Sequence, residues 1–300
     1  GESHYPFRWT ESGGFQQMGL LGEKVWVEGI NSDGSLVVGT GFSDNNGVIA
    51  VKWGWSGWCQ SVQWPLPTEP GWTRVCDISD VGNVIVGWTN RGLVPTEAYL
   101  LTTQAGIQLL GTLPGSDTSE ANAISSDGTI VVGTSGTAFA WSSATGMRDL
   151  GALEGWPRSA ATALSDDGLV IVGYSDSSGQ PPSRATIWID GTPRPLGVFP
   201  DGNLSLCWAT SADGRVVVGE YGVRTRYSRA FAWSRESGVV DLTDYAREHN
   251  LIGESITLTR ANDVSGDGST IVGVSFVNNQ YGHAFILRNV VLPAAACPTC

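Results

Sequence analysis

The chain has 300 residues, enough to bury one large apolar core as a single repeat domain. Its 17 Lys and Arg against 29 Asp and Glu leave a formal charge of −12, which excludes a surface that tracks nucleic-acid phosphates. Charged residues are only 15% of the chain, too few for a solvated polyelectrolyte, and no run of 18 apolar residues exists to span a membrane. Forty Gly, 13 Trp and only two Lys (Lys24 and Lys52) describe an all-β chain rich in tight turns and poor in helix. The start at Gly1, without Met or a basic-then-apolar leader, is consistent with a processed mature form or a trimmed chain.

In chain order, Pro6-Phe7-Arg8-Trp9 opens as one strand type and Gln17-Met18-Gly19-Leu20 follows as another. The pattern Ser-x-Asp-Gly-x-x-(Val/Ile)-Val-Gly then recurs six times: 31–39, 79–87, 125–133, 165–173, 211–219 and 265–273. The first copy has Asn for Ser, and the second has Val81 at the Asp position. The turn glycines Gly34, Gly82, Gly128, Gly168, Gly214 and Gly268 recur about every 47 residues, the period of a four-stranded propeller blade. Each copy reads as four strands. An alternating stretch such as Ala121-Asn122-Ala123-Ile124 leads into an Asp-Gly hairpin. A continuous β-branched strand such as Ile130-Val131-Val132-Gly133 follows, as expected where both faces are buried. Third comes Ala-Phe-x-Trp (138–141, 185–188 and 230–233, with looser copies at 50–53 and 98–101), and fourth a segment such as Met147 to Gly151. Only Leu242 to Asn250 predicts more than a turn of helix. Ala284-Phe285-Ile286-Leu287 and Asn289-Val290-Val291-Leu292 close the chain as a further third and fourth strand.

These segments number 26, where six blades need 24 and seven need 28. The expectation is a six-bladed β-propeller over residues 1–292 with a surplus terminal strand pair, a seven-bladed ring being the alternative, and a Cys-containing tail at 293–300. The surplus pair caps its own ring or adds to a neighbouring molecule, with Phe7, Trp9, Phe285 and Leu287 marking the strands open to exchange.

Repeats that read Ala-x-Ala-Ile-Ser-x-Asp-Gly-x-x-Val-Val-Gly-x-Ser, then Ala-Phe-x-Trp, then Gly-Met-x-Asp-Leu-Gly resemble the HAF family of extracellular repeats. The resemblance covers nearly the whole chain. It implies a secreted or cell-surface bacterial β-propeller and carries no catalytic motif to transfer.

Five cysteines, Cys59, Cys76, Cys207, Cys297 and Cys300, are an odd count for a secreted chain and point to a free thiol or an intermolecular bond. Cys59 and Cys76 could close a short loop worth about 3 kcal/mol, whereas Cys297 and Cys300 sit in a tail without a core and suit cross-links. The histidines His4, His249 and His283 fall outside the repeat phase, so no Ser-His-Asp triad is expected. The turn aspartates Asp33, Asp80, Asp127, Asp167, Asp213 and Asp267 offer one carboxylate per blade, which suits turn bonding better than calcium. Asp44-Asn45-Asn46-Gly47 is a denser oxygen cluster with the same reading, and no cofactor is expected. Scattered acids such as Glu28, Glu69, Glu97, Glu120, Glu154 and Glu220 single out no glycosidase pair. The Trp repeats at 9, 53, 141, 188 and 233 read as core, while Trp55, Trp58, Trp64 and Trp72 cluster around Cys59 as a candidate interface or glycan-stacking surface. The leading expectation is a non-enzymatic extracellular interaction protein whose partner is another copy of itself or another surface protein. A carbohydrate-binding or carbohydrate-active propeller (glycosidase or lyase) is the alternative.

Overall fold

The computed structural model describes residues 5–19, 24–43, 47–54, 59–61, 72–90, 95–102, 104–177, 182–200, 204–222, 228–278 and 280–293. The chain divides into two compact units, Gly1–Asp149 and Leu150–Cys300.

Unit one opens with a two-stranded sheet, β1 (Phe7–Thr10) and β2 (Gly14–Gln17). The first blade-like sheet is β3 (Lys24–Ile30), β4 (Leu36–Ser43), β5 (Gly47–Gly54) and β6 (Cys59–Ser61). The second is β7 (Trp72–Ile78), β8 (Val84–Asn90), β9 (Glu97–Thr102) and β10 (Gly106–Leu109), touching the first through one parallel pair, Val48 and Trp72. The third is β11 (Glu120–Ile124), β12 (Ile130–Ser135), β13 (Thr137–Ser142) and β14 (Gly146–Asp149). Unit two holds the fourth sheet, β15 (Arg158–Leu164), β16 (Val170–Asp176), β17 (Ser183–Ile189) and β18 (Thr192–Pro195). The fifth is β19 (Ser205–Thr210), β20 (Val217–Tyr221), β21 (Arg229–Ser234) and β22 (Gly238–Asp241), followed by α1 (Leu242–Glu248). The sixth is β23 (Ile256–Val264), β24 (Ile271–Val277) and β25 (Gln280–Leu287). Each repeat hairpin thus begins its own run of three or four antiparallel strands, as the 47-residue period predicts, the first two runs being joined by the Val48–Trp72 pair.

The turn between first and second strands is longer than an Asp-Gly hairpin implies. Ser125 N–H bonds Ile130 O and Gly128 N–H bonds Ser125 O (both 2.9 Å), so four residues form the loop and Gly128 follows a type I turn at φ +77°. Asp127 accepts from Ser125 Oγ (2.7 Å) and Thr129 N–H (2.9 Å), and Ser125 Oγ accepts from Ile130 N–H (2.9 Å). The same bonds recur at Asp167, Asp213 and Asp267. Where Val81 replaces Asp, Asp80 instead accepts from Ser126 of the next sheet (2.7 Å).

All six first strands carry a β-bulge that the residue pattern does not announce. The extra residue is Glu28, Cys76, Asn122, Thr162, Trp208 or Asn262. Just before the bulge, the carbonyl of Glu120 lies over Gly133 so closely that a methyl there would overlap it, and Phe139 closes the other side. Gly39, Gly87, Gly173, Gly219 and Gly273 meet the same obstruction from the equivalent carbonyls. The last glycine of Val-Val-Gly is therefore an approach distance within the blade.

The two Val of that motif point to opposite faces, and within each unit a sheet buries one face against the next. Val38 and Ala50 of the first sheet pack on Val75, Ile85 and Tyr99 of the second, and Val86 and Leu100 of the second on Ala121, Val131 and Phe139 of the third. In unit two, Val172 and Ile187 pack on Cys207, Val217 and Phe231, and Val218 and Ala232 pack on Ala261, Ile271 and Leu287. Trp53 and Trp188 are fully buried and donate Nε1–H to Gly19 O (2.7 Å) and Gly151 O (3.2 Å).

Helix α1 falls within the predicted 242–250 span. Its N-cap Asp241 accepts from Asp244 N–H (2.9 Å), and Arg229 bonds both carboxylates. The segment at 289–292, expected as a fourth strand, is not one. Asn289 takes φ +55°, turning the chain so that Val290 N–H bonds Ser269 O (2.9 Å) and Val291 N–H bonds the Tyr245 hydroxyl (3.1 Å). The sixth sheet therefore has three strands among the described residues.

Gly128→Val is expected to lower stability by about 1–3 kcal/mol, because φ is positive and a Cβ would sit 2.8 Å from Val84 Cγ2. Gly133→Ala should cost at least as much despite its smaller side chain. Thermal unfolding of both variants checks this, with Gly146→Ala, positive in φ but facing open space, as the control for conformation alone.

Candidate interaction surface

The terminal elements depart from the burial pattern of the other repeats. The hairpin β1–β2 is a two-stranded sheet whose strands match the third and fourth strand types of a blade. By repeat alignment Phe7 and Trp9 match Phe139 and Trp141, which are buried, yet both are exposed, as is Phe15 at 74%. Phe7 and Phe15 meet edge-on at 5.2 Å. The hairpin is held by Met18, which is buried with Val25, Val37, Val51 and Trp53, and by Met18 N–H on Pro6 O (2.9 Å). Trp9, read from sequence as core, is exposed on a sheet of only two described strands.

The first sheet exposes Val27 (44%) and Ile30 (56%), where the aligned Val75, Ala121, Cys207 and Ala261 are fully buried and Ile78 and Ile124 are buried. The sixth sheet exposes Ile286 (48%) and Ala284 and leaves Val272 partly exposed, where Ala232, Ala230 and Val218 are fully buried. Burial of each Val or Ile side chain would contribute about 1.5–3 kcal/mol, so both sheets carry unspent apolar area.

The bulged residues line the inner edges of the sheets, and sequence reasoning did not single them out as a group. In unit one, Arg74 pairs with Glu28 (3.1 Å). In unit two, Thr162 Oγ1 donates to Val172 O (3.1 Å) or Cys207 O (2.8 Å), tying the fourth sheet to the fifth, and Arg260 lies 5.8 Å from the Trp208 ring centre.

Of the candidate cysteines, Cys76 and Cys207 carry free thiols. Burial pushes the Cys76 thiol up to about 12 and the Cys207 thiol upward as well, so neither is a ready thiolate near neutral pH. Cys207 has no exposed surface and cannot reach a second chain while its sheet is folded. Cys59 lies on β6, whose side chains are outside the described residues, as are Cys297, Cys300, Trp55, Trp58, Trp64 and residues 44–46. Trp72 begins β7 and is 59% exposed. Phe285 is half-buried and Leu287 buried on β25. His249 bonds Tyr245 O through Nδ1 (2.8 Å) and stacks on the Tyr245 ring. Among the described residues no three His, Cys, Asp or Glu side chains gather as a metal site, and no helix is long and apolar enough to cross a membrane.

No family model matches the chain, and no curated protein matches it. Solved structures do. A putative TolB from Agrobacterium tumefaciens matches with a TM-score of 0.55 at 16% identity, covering 92% of this chain and 93% of that one. TolB from Acinetobacter baumannii matches at 0.52 and 14% identity; the match covers 75% of this chain and 55% of that protein. A structure from a study of two prolyl endopeptidases matches at 0.55 and 12% identity, covering 90% of this chain and 42% of that one. At such identities the likeness concerns the fold alone: this chain is an all-β propeller of six blades.

The turn carboxylates set an acid limit. Hydrogen bonds from Ser265 and Ser269 hold Asp267 at about 2, and bonds from Ser35, Ser125, Ser165 and Arg215 hold Asp33, Asp127, Asp167 and Asp213 below the ordinary carboxylate range. A depressed folded value gives stability that is complete above the unfolded value of about 3.9 and lost as pH falls through the folded value. The melting temperature should therefore drop between about pH 4 and pH 2, and Asp267→Asn should shrink that drop. A melting temperature flat across this range would contradict the turn bonding.

Proposed function

We propose that this is a non-enzymatic extracellular or cell-surface interaction protein that assembles head-to-tail with copies of itself through its terminal strands. The observation that carries the reading is the hairpin β1–β2, a half-blade with Phe7, Trp9 and Phe15 exposed, set against a sixth sheet whose third strand β25 has no fourth strand beside it among the described residues. An open edge and a half-blade in one chain favour strand addition between molecules. Such a contact is heterologous and propagates into a filament unless its rotation closes a ring. The resemblance to HAF repeats supports a surface location, and the odd cysteine count supports a covalent joint through Cys297 or Cys300. The groups best suited to catalysis are engaged in structure: turn Ser and Asp bond each other, His249 caps a helix, and burial raises both described thiols.

Exposed Trp72 favours a second reading, stacking on sugar faces. Titration against a glycan panel separates the two, since the assembly reading expects no saturable binding that Trp72→Ala removes. Electrophoresis after boiling in detergent tests the covalent joint: without reductant a ladder is expected, collapsing to 31.7 kDa with reductant. A single monomer band in both lanes, with light scattering also reporting monomers, would contradict self-assembly and leave the glycan reading ahead.

A further inference from the structure

We propose that Arg260 and Trp208, on the innermost strands of the sixth and fifth sheets, form a binding site for a small carboxylate ligand. The site lies wholly within unit two and is independent of the self-assembly reading.

The chain itself shows how a carboxylate seats at this place in a repeat. In unit one, Arg74 lies two residues before the bulge of the second sheet, opposite Trp88, which follows Gly87. Its Nε and Nη2 donate to the two oxygens of Glu28 (3.2 and 3.3 Å), the bulged residue of the sheet before it. A planar guanidinium and a planar carboxylate match as a two-pronged pair. In unit two, Arg260 holds the same register, two residues before the bulge of the sixth sheet and opposite Val274, which follows Gly273. The bulged residue of the sheet before it is Trp208. Arg260 therefore meets an indole ring, its guanidinium carbon 5.8 Å from the ring centre, where Arg74 meets a carboxylate. Among the described residues no carboxylate pairs with Arg260, whereas Arg74, Arg229 and Arg247 each have one.

The guanidinium is held in place for such a partner. Its Nε donates to Asn262 Oδ1 on the same strand (2.7 Å), which orients the group and leaves its two terminal nitrogens for a ligand. The Trp208 ring supports it from the fifth sheet as a cation–π contact. The backbone beneath is fixed, because the Arg260 carbonyl lies against Gly273 and the Leu206 carbonyl against Gly219. Arg260 and Trp208 are half-buried and Asn262 is exposed, so the site is partly desolvated yet reachable. Trp208 Nε1–H is shielded and donates to no acceptor among the described residues, unlike the same group of Trp53 and Trp188. The ring is thus set by its stacking and not by a hydrogen bond of its own. One guanidinium on a chain of charge −12 suits a singly charged two-oxygen anion better than a phosphate.

Saturation-transfer NMR on the full chain, read on the ligand and therefore usable whatever the state of assembly, supplies the test. The probes are glucuronate and the α-amide of N-acetylglutamate, which bring the carboxylate from a sugar acid and from an acidic amino acid. Glucuronamide is the neutral control. Wild type is expected to bind at least one acid saturably and about tenfold more tightly than glucuronamide, and the acid that binds names the source. Arg260→Gln should abolish binding. Arg260→Lys keeps the charge but not the fork and should bind about fivefold more weakly. Trp208→Glu supplies the carboxylate that Glu28 supplies to Arg74, and should close the site to both acids with its melting temperature unchanged. Arg74→Gln should bind as wild type does. No binding of either acid to wild type would overturn the proposal, as would glucuronamide binding equally well or Arg260→Gln retaining affinity.

Discussion

Each blade depends on a steric bargain within its two innermost strands. A bulge lowers one carbonyl of the first strand onto the second, and the second strand must carry glycine there. The bulge adds local twist, which lets consecutive sheets splay and still stack face to face. It also offsets the first strand, so that the bulged side chain stands at the inner edge while its neighbours remain in the core. Six repeats with unrelated bulged residues, from Glu28 to Trp208, keep the same backbone because the constraint lies in the glycine.

Stacking then follows from the two Val of the same motif. Both faces of an internal blade are apolar, so a blade is stable only between neighbours, as in other repeat architectures. Among the described residues β1–β2 is a two-stranded sheet and the sixth sheet has three strands, and both leave apolar side chains exposed. Turn-to-turn bonds such as Ser126 on Asp80 in unit one and Ala212 N–H on Gly266 O in unit two reinforce the order of sheets within each unit.

Much of this was legible in the residues. The Gly spacing gave blade number and phase, and the Leu242 to Asn250 pattern gave the helix. The bulges were hidden because Ala-x-Ala-Ile reads as ordinary alternation whether or not one residue is extra. Asp80 misled because it sits beside Val81 in a turn that lacks its own carboxylate, and it serves the next sheet instead. The last segment, rich in Val and Leu, reads as a strand, but Asn289 in the left-handed region turns it toward Tyr245. The interaction surface was legible only in part. Sequence types each strand, and Trp9 has the type of a core residue; its exposure depends on which strands are missing around it, and periodicity holds no record of that.

Amide hydrogen exchange, followed strand by strand on the reduced protein at rising concentration, tests most directly the claim that interior blades are buried and the terminal ones uncovered. The account predicts slowest exchange at Val86, Val172 and Val218. It predicts much faster exchange in β1, β2 and β25 in dilute solution, slowing as concentration rises. Terminal strands as protected as Val218 in the dilute protein would contradict it.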